Sequence, residues 1–465
     1  MNALPAQPLS PLDGRYRPVV EGLGVELSEA GLNRARLRVE TEWLIYLTGH
    51  RMFGSTPLRA DDQAALSRLA TDFGPDDIAE LAALEAETRH DVKAVEYFVR
   101  RRLAERGLES IAELTHFGAT SEDINNIAYA LTVREAVTTV WLPAFDTVVQ
   151  ALTERALAFR GDAMLAHTHG QPATPTTMGK ELAVFVYRLR RIRGQIVASD
   201  YLAKFSGATG TFAADVAADP DVDWRQVSRE FVGSFGLTWN PLTTQIEPHD
   251  WQAELYARLT HANRVLHNLA TDLWTYISLG YFRQVPQAGA TGSSTMPHKI
   301  NPIRFENAEA NLELSCAVLD SLSATLVTSR MQRDLTDSTT QRNIGVGLGH
   351  SLLALDNLRR GLDALDLDRE RLAYDLDANW EVLGEAIQTV IRAEVVAGRS
   401  HIADPYALLK GLTRGKRIGR AELAAFLDGL EIGDAARERL RALTPARYIG
   451  LAESLVDELT TAPAL

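Results

Sequence analysis

An all-α fold is what this 465-residue sequence predicts, on three observations. Apolar residues recur at 3.6-residue spacing over segments well above the average helix length. Two of those segments begin with a capping residue next to a proline. Two shifts in composition, near 110–118 and after about 365, separate a long-helix centre from flanking regions of shorter segments. The expected parse is three helical domains, residues 1–115, 116–365 and 366–465, with a long-helix bundle in the middle.

The elements follow in order. Residues 1–11 are Pro-rich and uncharged and lack the basic and apolar regions of a secretory signal. The centre contains long periodic segments near 122–158, 176–205, 247–283 and 338–364. Phe305, Ala308, Leu312, Leu319, Leu322 and Leu326 step by threes, fours and sevens. A helix from 302 to about 330 would be roughly 43 Å long at about 1.5 Å per residue. Asn301 suits its N-cap and Pro302 its first position. Thr174-Pro175 reads as another cap-plus-proline start, and Asp337 as a third cap. Residues 206–220, rich in Gly, Ala and Asp, read as a loop or short hairpin. After 365, glycines punctuate shorter segments up to Gly450.

Composition excludes some functions. A formal net charge of −13 argues against broad nucleic-acid or membrane-surface binding. No window reaches 18 uninterrupted apolar residues, so no membrane span is expected. The single Cys316 forms no intrachain disulfide and fits a small core residue in a reducing, cytoplasmic compartment.

Five blocks carry chemistry. Gly292 to Pro302, G-S-S-T-M-P-H-K-I-N-P, packs hydroxyls, a His, a Lys and an Asn behind a Gly-rich lead-in. A loop that closes over an anionic substrate uses that density of polar groups; a polar surface turn is the plain alternative. His167-Thr168-His169 places two histidines at i, i+2 of an extended segment, as a metal pair, as a general acid or as a plain hydrogen-bonded loop histidine. Thr120 and Ser121 begin a helix whose first turn holds Glu122 and Asp123, a plain cap or an anion site. Thr88 to Glu96 concentrates Arg89, His90, Asp91 and Lys93, which a solvated helix face also explains. Ser329 to Asn343 alternates cations, hydroxyls and acids, as a surface salt-bridge cluster would. Arg414 to Arg417 reads as solvated surface.

The first block resembles the signature loop of the fumarase/aspartase superfamily, whose members eliminate fumarate. Thr295, His298 and the Q-R-D-L-T-D-S-T block at 332–339 resemble its adenylosuccinate lyase family, and the likeness runs from Arg15 to Tyr448. The resemblance implies a central long-helix domain forming a 20-helix core in a homotetramer, with active sites shared between subunits. It implies cleavage of adenylosuccinate to AMP and fumarate, and of the succinyl-carboxamide ribotide of purine biosynthesis. Ser293 is then the general base, with His90 the alternative, and His169 the general acid. The implied substrate contacts are Arg15, Tyr16, Arg89, His90, Asp91, Thr120, Ser121, Gln245, Ser294, Lys299, Asn301, Asn307, Arg333, Ser338, Thr339 and Arg342. Arg15, Tyr16, Arg333, Ser338 and Arg342 are expected near the phosphate. No metal or organic cofactor is required, because no electrons leave the substrate. Another lyase of the superfamily, or an inert structural oligomer, are the competing readings; His298 with the 332–339 block, and retention of Ser293 with His169, weigh against them.

Overall fold

Ser28 separates the first two helices, α1 (Arg17–Leu27) and α2 (Glu29–Gly49), and caps the second by accepting the Gly31 N–H at 3.1 Å. The computed structural model describes residues 8–285, 296, 299–413 and 418–461. Next come α3 (Ala60–Thr71), α4 (Pro75–Thr88) and α5 (Asp91–Ala104). Together with α2 they enclose a core that includes Leu37, Leu44, Leu66, Leu84, Val95 and Phe98.

The chain then lengthens its helices. α6 (Ser121–Glu135) continues through a π-helical turn, Ala136–Trp141, into α7 (Leu142–Ala158). An antiparallel hairpin follows, β1 (Ala163–Thr168) with β2 (Gln171–Thr177). After α8 (Met178–Val197), β3 (Leu202–Ala203), α9 (Ala213–Ala218) and α10 (Trp224–Ser234) lead to β4 (Thr238–Trp239), which pairs parallel with β3. The remaining long helices are α11 (Asp250–Ser278), α12 (Ile303–Leu326) and α14 (Ile344–Asp363), with the short α13 (Thr336–Gln341) before the last. β5 (Phe282–Gln284) pairs antiparallel with β6 (Leu365–Leu367). α15 (Arg369–Asp377), α16 (Gly384–Val396), α17 (Pro405–Thr413), α18 (Arg420–Asp428) and α19 (Asp434–Arg441) follow. A C-terminal core gathers Leu383, Ile387, Ile391, Leu423, Leu427 and Leu440.

The fold is all-α, and its strands are short pairs. No helix of the described residues is long and apolar enough to cross a membrane. The stripe from Phe305 to Leu326 is buried at every predicted position, and Cys316 is buried beside it.

Several local expectations need correction. Thr174 and Pro175 lie inside β2, because the chain turns back on β1 before the helix begins; Thr177 starts α8 instead, its hydroxyl accepting the Lys180 N–H at 3.2 Å. α12 begins at Ile303, and the Pro302 carbonyl accepts the Phe305 N–H at 3.0 Å, so the start is displaced by one residue. Asp337 is the second residue of α13, not a cap; its carboxylate is taken up by His249. Residues 213–218, expected as loop or hairpin, form α9.

The chain forms two compact units, each drawn from separate stretches of sequence. One comprises the residues through Phe145, Ile192–His267 and Ala308–Asp356; the other comprises Asp146–Arg191, Asn268–Asn307 and the chain from Asn357 on. In the first unit a buried polar knot fixes the register of the long helices. Asn263 of α11 donates to Ser315 of α12 at 2.9 Å, and Ser315 donates to the Gly347 carbonyl of α14 at 2.7 Å. Ser351 donates to Asn263 at 2.7 Å and accepts from the Trp141 indole at 2.8 Å. Each polar group finds a partner, so the knot favours one helix register over slipped ones. Gly347 lets α12 close in; a Cβ there would meet the Leu319 side chain at 3.0 Å. Asn263→Leu keeps the branched shape but removes the acceptor of the Ser351 hydroxyl, and should lower unfolding free energy by about 1–3 kcal/mol in urea titration. An unchanged midpoint would show that the knot does not hold the register.

Candidate active site

One face of α2 holds up the first unit's candidate segments. Arg36, Glu40 and Trp43 lie at i, i+4 and i+7, and all three are buried. Glu40 accepts two bonds from His116, from the backbone N–H at 3.1 Å and from ring Nδ1 at 2.6 Å. The Trp43 indole donates to the Phe117 carbonyl at 2.9 Å. Burial pushes the His116 pKa down, but the Glu40 hydrogen bond and charge, with Glu96 and Asp123 beyond, raise it above the ordinary value.

The turn that starts α6 is tied down from the other side. Asp123 accepts the Thr120 N–H at 2.8 Å and so fixes the entry to the helix. It also accepts the N–H groups of Ser206 at 2.8 Å and Gly207 at 3.0 Å, and pairs with the Lys204 ammonium at 2.8 Å. Asp123 and Lys204 are fully buried, so the pair persists only because each is surrounded by partners. Thr120 and Ser121 stay half-exposed at the helix start, the positive end of the helix dipole, which suits an anion.

A line of buried and half-buried polar groups joins the other candidate blocks. Arg36 Nη2 pairs with Asp91 at 2.7 Å, and Arg36 Nε donates to Asn125 Oδ1 at 2.8 Å. Asn125 donates to Glu122 Oε1 at 2.7 Å, and Glu122 pairs with Arg333 Nη1 at 2.7 Å. Arg333 Nη2 lies 3.7 Å from Asp337, whose other oxygen is 3.2 Å from His249 Nε2. Arg342 pairs with Glu29 and, at 3.3 Å, with the Asp91 oxygen that Arg36 holds. Burial alone would raise the Asp91 pKa; the Arg36 charge, the Val92 N–H and Arg342 outweigh it and hold the carboxyl below its usual range. Burial likewise opposes ionisation of Asp337, and His249 with Arg333 reverse it. Gln245 joins through its backbone, donating to the Gln332 carbonyl at 3.3 Å.

Residues from five segments therefore meet in the first unit: Asp91, the Thr120–Ser121 turn, Gln245, Arg333 and Arg342. His90 caps α5, accepting the Lys93 N–H at 3.2 Å, and its ring is half-exposed. Arg89 is exposed in the left-handed conformation, φ 55°, where α4 ends. Arg15 is exposed just before α1, its guanidinium 5.7 Å from the Tyr16 ring centre. Ser338 and Thr339 lie on α13, half-buried and exposed respectively. Beside Arg342 a cavity of about 190 Å³ opens, also lined by Ser10, Asp13 and Ser28.

The second unit holds His169, Lys299, Asn301 and Asn307. His169 is not in an extended segment, and it shares no strand face with His167. It forms, with Gly170, the two-residue turn between β1 and β2, with φ values of 54° and 73°. Positive φ at both central residues is the tight turn whose twist suits a hairpin. The imidazole is thereby carried, exposed, at a hairpin tip. Lys299 is exposed and Asn301 half-buried ahead of α12, and Asn307 is half-buried near its start. Ser293, Ser294 and His298 lie outside the described residues, as does Arg414 to Arg417. No group of three His, Cys, Asp or Glu side chains is arranged to hold a metal among the described residues.

Arg36, Glu40, Trp43, Lys204 and Asp215 lie outside the blocks to which the sequence motifs point. Asp215 abuts the turn at Gly118, where φ is 68° and an added Cβ would collide with the Asp215 carboxylate. Only glycine satisfies both constraints.

Comparison with known proteins bears on the whole chain. A family described as adenylosuccinate lyase C-terminal matches residues 329–449, and one described as lyase matches residues 25–318. Adenylosuccinate lyase of Escherichia coli (strain K12) is 46% identical over 453 residues, 97% of this chain and 98% of that protein. The Vibrio cholerae enzyme of that name is 45% identical over 454 residues, with the same coverage of both. Among solved structures, a fumarate lyase from Mesorhizobium sp. BNC1 superposes with a TM-score of 0.75 at 19% identity, covering 95% of this chain and 98% of that one. The 3-carboxy-cis,cis-muconate lactonizing enzyme of Pseudomonas putida gives 0.73 at 21%, covering 95% and 96%. At those identities the structures speak to fold alone.

Asp215 supplies a pH prediction. Burial, then the Asp123 charge, push its carboxyl up from 3.8 to about 6. Across that window the folded chain keeps a proton that the unfolded chain releases, so this group's contribution to stability falls as pH rises. Above about 6 the penalty is complete. Asp215→Asn should therefore raise the denaturation midpoint at pH 8 by more than at pH 4.5. A gain that does not grow with pH would show that Asp215 is not held in this way.

Proposed function

The chain belongs to the adenylosuccinate lyase family and is a lyase that releases fumarate, and from that premise we propose that its substrates are adenylosuccinate and the succinyl-carboxamide ribotide. The observation that carries the reading is 46% identity to the Escherichia coli enzyme along nearly the whole of both chains.

The chemistry proceeds by β-elimination. Ser293 removes a proton from the carbon beside a succinyl carboxylate, and the electron pair spreads into that carboxylate as a doubly charged aci-form. As the pair returns to form the double bond of fumarate, the C–N bond breaks. His169 protonates the departing nitrogen. An ordinary serine hydroxyl is protonated at neutral pH, so the base works only where loop closure excludes water and gathers donors about its oxygen. Donors set in advance around the developing charge are often the largest catalytic term. Lys299, Asn301 and the helix start at Thr120–Ser121 are suited to that task.

Asp91, His90, Arg89, Gln245, Ser294, Asn307 and Thr339 complete the substrate contacts in this proposal. Arg15, Tyr16, Arg333, Ser338 and Arg342 take the nucleotide phosphate. The Arg342 guanidinium, exposed and bordering the 190 Å³ cavity, supports that assignment. The protein works as a cytoplasmic homotetramer whose residues 116–365 supply the shared helical core. Exposed apolar side chains on the long helices, among them Tyr187, Trp274 and Leu314, favour such burial.

Fumarate release from adenylosuccinate, followed by absorbance, tests this reading. Wild type should turn over, and Ser293→Ala and His169→Ala should each lower kcat by about 10²–10⁴-fold while substrate still binds. Mixing the two variants after subunit exchange should restore part of the rate, because each site draws on different chains. Near-normal kcat in Ser293→Ala would place the base elsewhere, with His90 next in line.

A further inference from the structure

We propose that Arg36 is a positioning residue for the elimination, acting through the first turns of α5 and α6; the proposal rests on the functional reading above. Its side chain is 1% exposed, and it touches no group expected to react. Its three nitrogens donate to three different side chains: Nε to Asn125 at 2.8 Å, Nη1 to Asn33 at 2.9 Å and Nη2 to Asp91 at 2.7 Å. Only one of those acceptors is a carboxylate.

Stability alone is a poor reason to bury such a group. Desolvating a guanidinium is costly, and well-packed apolar side chains of similar volume often do as well as a buried ion pair. What the guanidinium adds is direction. Its planar fork fixes several acceptors at set angles, which a lysine ammonium on a flexible stem does not.

Two of the three acceptors, Asp91 and Asn125, belong to the first turns of other helices, and the third, Asn33, lies on α2 itself. Asp91 is the first residue of α5, and its second oxygen already accepts the Val92 N–H at 2.9 Å. Asn125 lies one turn into α6; its oxygen faces Arg36 and its amide group donates to Glu122 at 2.7 Å. That pairing settles the amide orientation, because only a carbonyl oxygen accepts from a guanidinium. Arg36 therefore sets the angle of α5 at Asp91 and of α6 just behind Thr120 and Ser121. Those are proposed substrate contacts, and a displacement of about 1 Å at such groups can cost on the order of 10²-fold in rate.

The test compares Arg36→Lys with Arg36→Met in the full-length protein. Both should keep the helical circular dichroism of wild type. If direction is what matters, Arg36→Lys lowers kcat for adenylosuccinate by about 10²-fold, with KM changed much less, despite retaining the charge. The Asn125→Ala loss should then add little to it. Hydrogen exchange of ligand-free Arg36→Lys should speed up across 120–126 while the C-terminal core keeps its protection. An Arg36→Lys enzyme within threefold of wild-type kcat, or with unchanged exchange at 120–126, overturns the proposal. Exchange needs no substrate, so a wild-type protein inert on adenylosuccinate would sink the functional reading and leave Arg36 to be judged on exchange alone.

Discussion

The line of buried and half-buried side chains from Asp91 through Arg36, Asn125, Glu122 and Arg333 to Asp337 and His249 is the constraint on which the candidate site depends. Its members come from elements and loops that are far apart in sequence. Each cation faces an acid, and the two guanidinium groups flank the first turns of α6. Removing one member leaves a neighbour buried without its partner, which is far more costly than the modest worth of an exposed ion pair. The segments that carry Asp91, Thr120, Arg333 and Gln245 therefore hold their places together.

Packing supplies the frame for this line. α2 presents Arg36, Glu40 and Trp43 on the face that also buries Leu32 and Leu47, so polar anchors and apolar packing share one helix side. The Asp123–Lys204 pair does the same work across the loop at 204–207. Gly118 permits the tight turn between His116 and α6 that brings these anchors within reach. In the long-helix part of the same unit, the Asn263–Ser315–Ser351–Trp141 knot favours one register, and in that register α13 meets His249, just ahead of α11, at Asp337.

Much of this was legible in the sequence because local rules and tertiary packing agreed. The Phe305–Leu326 stripe reads as a helix and is one. The Thr120–Ser121 start is a helix start, with Asp123 at its expected place. The failures have specific causes. Thr174-Pro175 has a cap-plus-proline pattern, but pairing with β1 overrode it. His169-Gly170 is a hairpin turn disguised by a histidine where asparagine is the commoner signal. Arg36 and Glu40 are charged, and charges on a helix ordinarily mark its wet face. Their spacing with Leu32, Trp43 and Leu47 along the apolar stripe was the available sign that they are buried. Which carboxylate Arg333 faces depends on contacts between residues more than two hundred positions apart, and no local pattern encodes them.

If the line holds these segments together, it must respond as one unit when a single member is changed. Hydrogen-exchange mass spectrometry of Glu122→Gln tests this most directly, because the substitution keeps the size of the side chain and removes the charge that Arg333 faces. Residues 88–96, 120–126 and 330–342 are predicted to lose protection together, while the C-terminal core around Ile387 and Leu427 is unaffected. Faster exchange confined to 120–126 would contradict that coupling, and would show that the candidate segments are held independently.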